Sequence, residues 1–167
     1  MSNVRPHLQA VVRIEVADPQ GPEALMLLAE AAAEARAMYP DLFVPGSGEP
    51  TNPSTPIGGV YLLAWQEHRA VASGALRPLD GRTAEVRRMF VTASRRRLGL
   101  ASAVLAELEK HAADLGYTHL RLETGNRQLS ALLLYARRDF QPIPAFGPYA
   151  KDPTSVCFEK ALALGVA

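Results

Sequence analysis

Between Val60 and Val91 the chain carries three apolar runs, "VYLLAW", "AVASGAL" and "AEVRRMFV", separated only by "QEHR" and "RPLDGR". Connections this short cannot hold a parallel crossover, which takes a dozen or more residues, so the three runs can pair only as an antiparallel meander. Directly afterwards the hydrophobic period changes from two toward 3.6. Leu100, Ala101, Val104, Leu105, Leu108, Ala112 and Leu115 fall along one helical face, and Gly116 is placed to end it. A meander followed by an amphipathic helix predicts a layered α+β architecture in which that helix covers one face of the sheet.

The flanking segments extend the same plan. "VVRIEVAD" from Val11 alternates and stops at Asp-Pro, as a first strand would. A helix is predicted from Pro22, with Glu23 at its positive end, to about Met38 before Pro40. "HLRLET" is a further strand, a helix follows from about Gln128 to Arg138, and "FQPIP" and "TSVCFEKAL" close the chain as strands. The order β-α-β-β-β-α-β-α-β-β implies a mixed, mostly antiparallel twisted sheet of about six to seven strands with helices on both faces. The Pro/Gly-rich stretch over about 40–58 is too long for a routine connection and has no strand pattern, so it is either a mobile segment or a binding loop over a cleft. All 167 residues are expected to form one domain, with a disordered start over about 1–8.

Charge and cysteine content narrow the function. Eighteen Lys+Arg against 17 Asp+Glu leave +1, without a second basic face or an aromatic stacking strip, which argues against nucleic acid as the partner. The single Cys157 excludes an intrachain disulfide and gives no zinc-ligand spacing, and the four histidines, His7, His68, His111 and His119, form no metal constellation. The start lacks a secretory pattern and no apolar stretch approaches the ~20 residues of a membrane helix, so the expectation is a cytoplasmic protein with no membrane partner and no metal.

"SRRRLGLAS", Ser94 to Ser102, lies where a strand gives way to the amphipathic helix. A helix N-terminus leaves backbone N–H groups unpaired and carries roughly +0.5 of a charge, so an anion placed there meets donors already aimed at it. Gly99 and Ala101 let it approach; Arg95, Arg96 and Arg97 add charge and Ser102 a hydroxyl, a set suited to a pyrophosphate. A solvated loop with surface arginines is the competing reading.

"RRLGLA" fits R-x-x-G-x-A, with "EVRRMFV" before it and "LETGNRQLSALLLYARRDF" after it. In this order and spacing the segments resemble the GNAT superfamily of acetyl-CoA-dependent N-acetyltransferases, over about Gly59 to Leu162. The resemblance implies that acetyl-CoA is the co-substrate. The backbone of Met89, Phe90 and Val91 would pair with its pantetheine arm, and Arg96, Arg97, Leu98, Gly99, Leu100, Ala101 and Ser102 would cradle its pyrophosphate. The strand ending at Val91 would splay from the one beginning near Thr118. Gln128 stands where the family often has Asn, Asp139 replaces the usual Gly after the helix, and Arg97 fills a position often held by glycine.

The same resemblance makes Tyr135 the proton donor to the departing sulfur, where a plain core tyrosine is the alternative. Glu85 becomes the base for the amine, with an ion partner of Arg77 or Arg87 as its alternative. Glu123, beside Arg121, is the competing base or a substrate-orienting group, and Arg87 joins it in contacting the acceptor. Glu30 and Glu34 could attract a cationic amine, whereas Arg77, Arg87 and Arg121 could hold a carboxylate. The 40–58 loop and "FGPY" at Phe146 to Tyr149 are candidate walls of the acceptor cleft. The implied reaction is direct acetyl transfer to the primary amine of a small molecule, amino-acid-like acceptors included. A non-catalytic acyl-CoA sensor and a protein lysine or N-terminal acetyltransferase are the alternatives, and a homodimer is compatible with the family.

Overall fold

The structure, a computed structural model, describes residues 11–163. The expected disordered start over about 1–8, and His7 with it, lie outside the described residues. Seven strands, β1 (Val12–Val16), β2 (Val60–Gln66), β3 (Arg69–Pro78), β4 (Thr83–Val91), β5 (His119–Gly125), β6 (Gln141–Ile143) and β7 (Ser155–Ala161), form one sheet in the order β1-β2-β3-β4-β5-β7-β6. Three helices, α1 (Pro22–Met38), α2 (Leu100–Asp114) and α3 (Leu129–Arg137), alternate with the strands as the sequence predicts. None of them is long and apolar enough to cross a membrane.

Every pairing is antiparallel except that of β4 with β5. The helix α2 supplies the crossover that a parallel pair requires. Its buried residues Leu100, Val104, Leu105, Leu108 and Ala112 join Leu62, Ala64, Val86, Leu120 and Leu122 in the larger core. Tyr135 on α3 lies in the same core, whereas Ala24 and Leu27 of α1 pack with Tyr61, Leu63 and Ala70. Because alternate residues of β2 enter both clusters, its uninterrupted apolar run is the mark of a strand covered on two faces.

Two local features position the site. The β3–β4 register shifts between Ser73 and Ala75, so that Arg88 and Met89 stand opposite Gly74, a bulge with Arg88 at φ 57°. Parallel pairing of β4 with β5 covers only Thr83–Val86 against His119–Leu122, and beyond that the strands part.

The 40–58 segment is tied down. Asn52 is 5% exposed; its Nδ2 donates to Pro19 O at 2.8 Å and its Oδ1 accepts from Arg88 Nε at 2.8 Å. Tyr117 OH donates to Gly58 O at 2.7 Å, and Arg127 pairs with Asp41 at 2.6 Å.

Candidate active site

The arginine loop places its donors at the start of α2. Arg97 (φ 63°) and Gly99 (φ 80°) both take the left-handed conformation where the loop turns into α2. The first intrahelical bond runs from Ala103 N to Gly99 O, so the N–H groups of Leu100, Ala101 and Ser102 lack helical partners. Gly99 is exposed, and a Cβ there would meet nothing within 4 Å; its backbone conformation, rather than crowding, favours glycine. The helix thus opens at Leu100, with Gly99 as its cap.

Arg96 takes a different position from the one expected of a pyrophosphate ligand. Its Nε and Nη2 both donate to Val91 O at 3.0 Å, Nη2 also reaches Glu34, and the guanidinium lies over the Phe90 ring. Glu30 accepts from Thr92 Oγ1 at 2.7 Å. Both α1 carboxylates expected to draw a cationic amine therefore hold the strand-to-helix turn instead. Among the described residues Arg95 and Arg97 have no carboxylate partner.

The edge of β4 beyond Val86 is open toward β5. Thr92 N donates to Val71 O on β3, so by alternation the amides of Phe90 and Thr92 point to β3 while those of Met89 and Val91 point into the gap. Tyr135 of α3 is 5% exposed, with its ring against Phe140 (centroids 5.7 Å apart) and Phe158 (6.1 Å), in the core against which Met89 and Val91 also pack. Burial, and then the charge of Glu123, hold its phenol well above the ordinary tyrosine range. Gln128 caps α3 through its backbone, and its side chain is exposed and caps nothing. Asp139 takes φ 66°, the left-handed helix end that its sequence position requires.

The opposite face of the sheet gathers the charged groups. Glu85 is fully buried. Its Oε1 accepts from Arg77 Nη2 at 3.0 Å, Arg87 Nη1 at 3.2 Å and Tyr149 OH at 3.0 Å. A carboxylate oxygen so occupied anchors its neighbours. Among the described residues Glu123 accepts only from Ser155 Oγ at 2.9 Å, and burial pushes its carboxyl above the ordinary range against that bond. Arg121 pairs with Glu159 at 2.6 Å and covers the Phe146 ring, so it is not a free carboxylate receptor. Phe146 and Tyr149 pack edge to face, which brings the "FGPY" segment against β4 and β5. His68 lies in the β2–β3 turn, His111 on α2 and His119 at the start of β5.

The family model of the GNAT acetyltransferases matches residues 24–140, from α1 to the end of α3. The chain belongs to the GNAT acetyltransferase family. It is 36% identical over 104 residues to an uncharacterized N-acetyltransferase, YsnE, of Bacillus subtilis, covering 61% of this chain and 69% of that protein. It is 35% identical over 103 residues to the IAA acetyltransferase of Azospirillum brasilense, covering 61% and 67%. The crystal structure of a Klebsiella pneumoniae protein assigned as an acyl-CoA N-acyltransferase superposes with a TM-score of 0.76 at 32% identity, over 92% of this chain and 99% of that one.

For this GNAT enzyme, sequence reasoning missed Arg88, Asn52 and the direct role of Tyr149. Nothing in "EVRRMFV" marks a bulge, because the extra residue shows only against its partner strand. Asn52 sits in a stretch whose composition reads as irregular, and only the fold reveals that its side chain joins three segments. Tyr149 was legible as a cleft wall but not as a donor to Glu85.

Proposed function

We propose that the protein transfers the acetyl group of acetyl-CoA directly to the primary amine of a small molecule. One observation carries the reading: beyond Val86 the β5 side of β4 pairs with no strand, and β4 leads into the turn at Arg97–Ser102 where α2 opens with partnerless amides, while Glu123 directly follows the last β5 residue paired with β4. The β4 edge takes the pantetheine arm and the turn takes the pyrophosphate, aided by Arg95 and Arg97. Arg96 supports the loop from behind through Val91 O.

The acceptor nitrogen, once neutral, attacks the thioester carbon, the carbonyl oxygen gathers charge against the Val91 N–H, and the C–S bond breaks. Glu123 takes the proton that frees the acceptor ammonium as an amine, since its raised carboxyl is a stronger base than an ordinary one and, among the described residues, a single donor occupies it. The second nitrogen proton, released as the amide forms, passes through solvent to the departing sulfur, so that CoA leaves as the thiol. Tyr135 keeps its proton at every working pH and donates a hydrogen bond to the departing sulfur. Full transfer from so weak an acid to a thiolate of pKa near ~8.5 is uphill. Glu85 fixes Arg77, Arg87 and Tyr149. Cys157, opposite Glu123, is 2% exposed with its thiol pushed up by burial, which speaks for direct transfer over an acetyl-cysteine intermediate.

A small acceptor is supported by the walls beside Arg87, with Asn52–Pro56 on one side and Tyr149 on the other. The proposal takes all 167 residues as one cytoplasmic catalytic domain and admits a homodimer. Release of CoA from acetyl-CoA across a panel of small amines, peptides and buffer alone tests it. Turnover with small amines is the expected result; acetyl-CoA binding with no amine-dependent release makes the protein a sensor, and release only with peptides makes it a protein acetyltransferase.

A further inference from the structure

A cavity of ≈ 70 Å³ lies between the Asn52–Pro56 segment and the β3–β4 hairpin, lined on its charged side by Arg77, Arg87 and Arg88. That is several times the space one water needs, enough for a carboxylate and the carbon bearing it. The three guanidiniums are not equivalent. Arg77 and Arg87 are both bonded to Glu85, whereas among the described residues Arg88 has only neutral partners, Asn52 Oδ1 at 2.8 Å and Thr51 O at 3.2 Å. Among the described residues Glu85 is the single carboxylate bonded to this trio, so the cluster keeps an excess of positive charge beside a half-buried Arg88.

The backbone singles out the same residue. Arg88 holds φ 57° at the bulge, a left-handed conformation that strains a residue with a Cβ and that glycine would adopt freely. The bulge turns Arg88 out of the strand's alternation, so that consecutive residues Arg87 and Arg88 both line the cavity. A strained residue whose charge lacks a counterion among the described residues, at the wall of a cavity next to the open edge of β4, is a receptor for an anion.

We infer that the acceptor carries a carboxylate beside its amine, and that Arg88, with Arg87 and Arg77 behind it, receives that carboxylate in this cavity. The inference rests on the amine-acetylation reading of the site and gives its acceptor a chemical class. A charge-assisted contact to Arg88 holds the molecule by its acid end and leaves the amine to reach the gap between β4 and β5.

The test compares amino acids with their primary amides as acceptors, and titrates the same pairs calorimetrically into the protein in the presence of CoA. The expected result is an acid-over-amide preference of about tenfold or more in kcat/KM, expressed mainly in KM. It should collapse in Arg88→Gln and in Arg88→Gly, the second chosen because its backbone suits the bulge, and be partly restored in Arg88→Lys. Equal use of acid and amide by the parent overturns the inference while leaving amine acetylation intact, as does a preference that persists in both variants. If no amine is acetylated, the functional reading fails, and calorimetry still decides the subsite: acids that bind no better than their amides overturn it.

Discussion

Glu85 and Glu123 belong to neighbouring strands and face the same side of the sheet, yet their surroundings give them opposite work. Glu85 Oε1 is occupied by two guanidiniums and a phenol, whereas Glu123 has one hydroxyl donor and a carboxyl raised first of all by burial. Glu123→Gln should therefore depress kcat/KM strongly near neutrality and progressively less toward pH 9–10, where the amine frees itself. The folded protein binds this proton more tightly than an ordinary glutamate does. The acid limb of the parent's pH profile should accordingly lie above the usual carboxylate range of ~4.3 and vanish in the variant. Glu85→Gln should show itself in denaturant melts, losing about 1–3 kcal/mol, less than a fully buried pair because Arg77 keeps 42% side-chain exposure. Interchanged outcomes would return the base to Glu85. Tyr135→Phe should bind acetyl-CoA nearly as the parent does and turn over about 10²-fold more slowly, the usual cost of one lost transition-state donor; equal turnover across pH removes the phenol from the chemistry. Only the family resemblance singled out Tyr135, since one tyrosine on an apolar helix face reads equally as core. It left Glu85 and Glu123 undecided, because what separates them is partners brought from β3, β7 and the Tyr149 turn.

Among the elements, β3, β4 and α2 meet at Gly74. A Cβ there would lie 2.6 Å from Val104 Cγ1 and 2.9 Å from both Leu108 Cδ1 and Met89 Sδ, so glycine is required for the approach of α2 to the bulge. Gly74→Ala is expected to destabilise the fold by about 1–3 kcal/mol through overpacking and, by displacing α2, to weaken acetyl-CoA binding as well. Chemical denaturation and calorimetry read the two effects separately; an unchanged melt would mean that the helix has room to shift. The alternation of β5 and the single apolar face of α2 made those elements legible, whereas β2 was legible as an apolar run between polar turns and α1 by its Ala/Leu content between Pro22 and Pro40. The bulge was not, since "SGA" and "RRM" contain no local signal that two residues will oppose one. The 40–58 segment was legible only as irregular, either mobile or a binding loop over a cleft, and its fastening by Asn52 depends on an acceptor from Pro19 and a donor from Arg88, both distant in sequence.

Across the whole molecule the sheet behaves as two parts, β1–β4 and β5-β7-β6, joined by four parallel residue pairs and the core beneath α2. The sequence foretold the splay only through its family resemblance, because no pattern within β4 or β5 says where their pairing ends. A molecule lying along the open β4 edge with its diphosphate at α2 would complete a hydrogen-bonded ladder between the parts. At ~100 times its dissociation constant such a ligand adds ~2.7 kcal/mol if only the folded state binds it. Gly99→Glu, which puts negative charge and a strained φ at the start of α2, should remove that gain without unfolding the free protein. Amide hydrogen exchange then locates the ligand on the strand. In the free protein the Phe90 and Thr92 amides, turned toward β3, should exchange slowly, and those of Met89 and Val91, turned into the gap, should exchange fast. On addition of acetyl-CoA the second pair should slow while the first changes little, and in Gly99→Glu neither should respond. Protection confined to residues 95–102 would mean that the pyrophosphate is held while the pantetheine arm runs elsewhere. In that case Tyr135 could not be the donor to the sulfur.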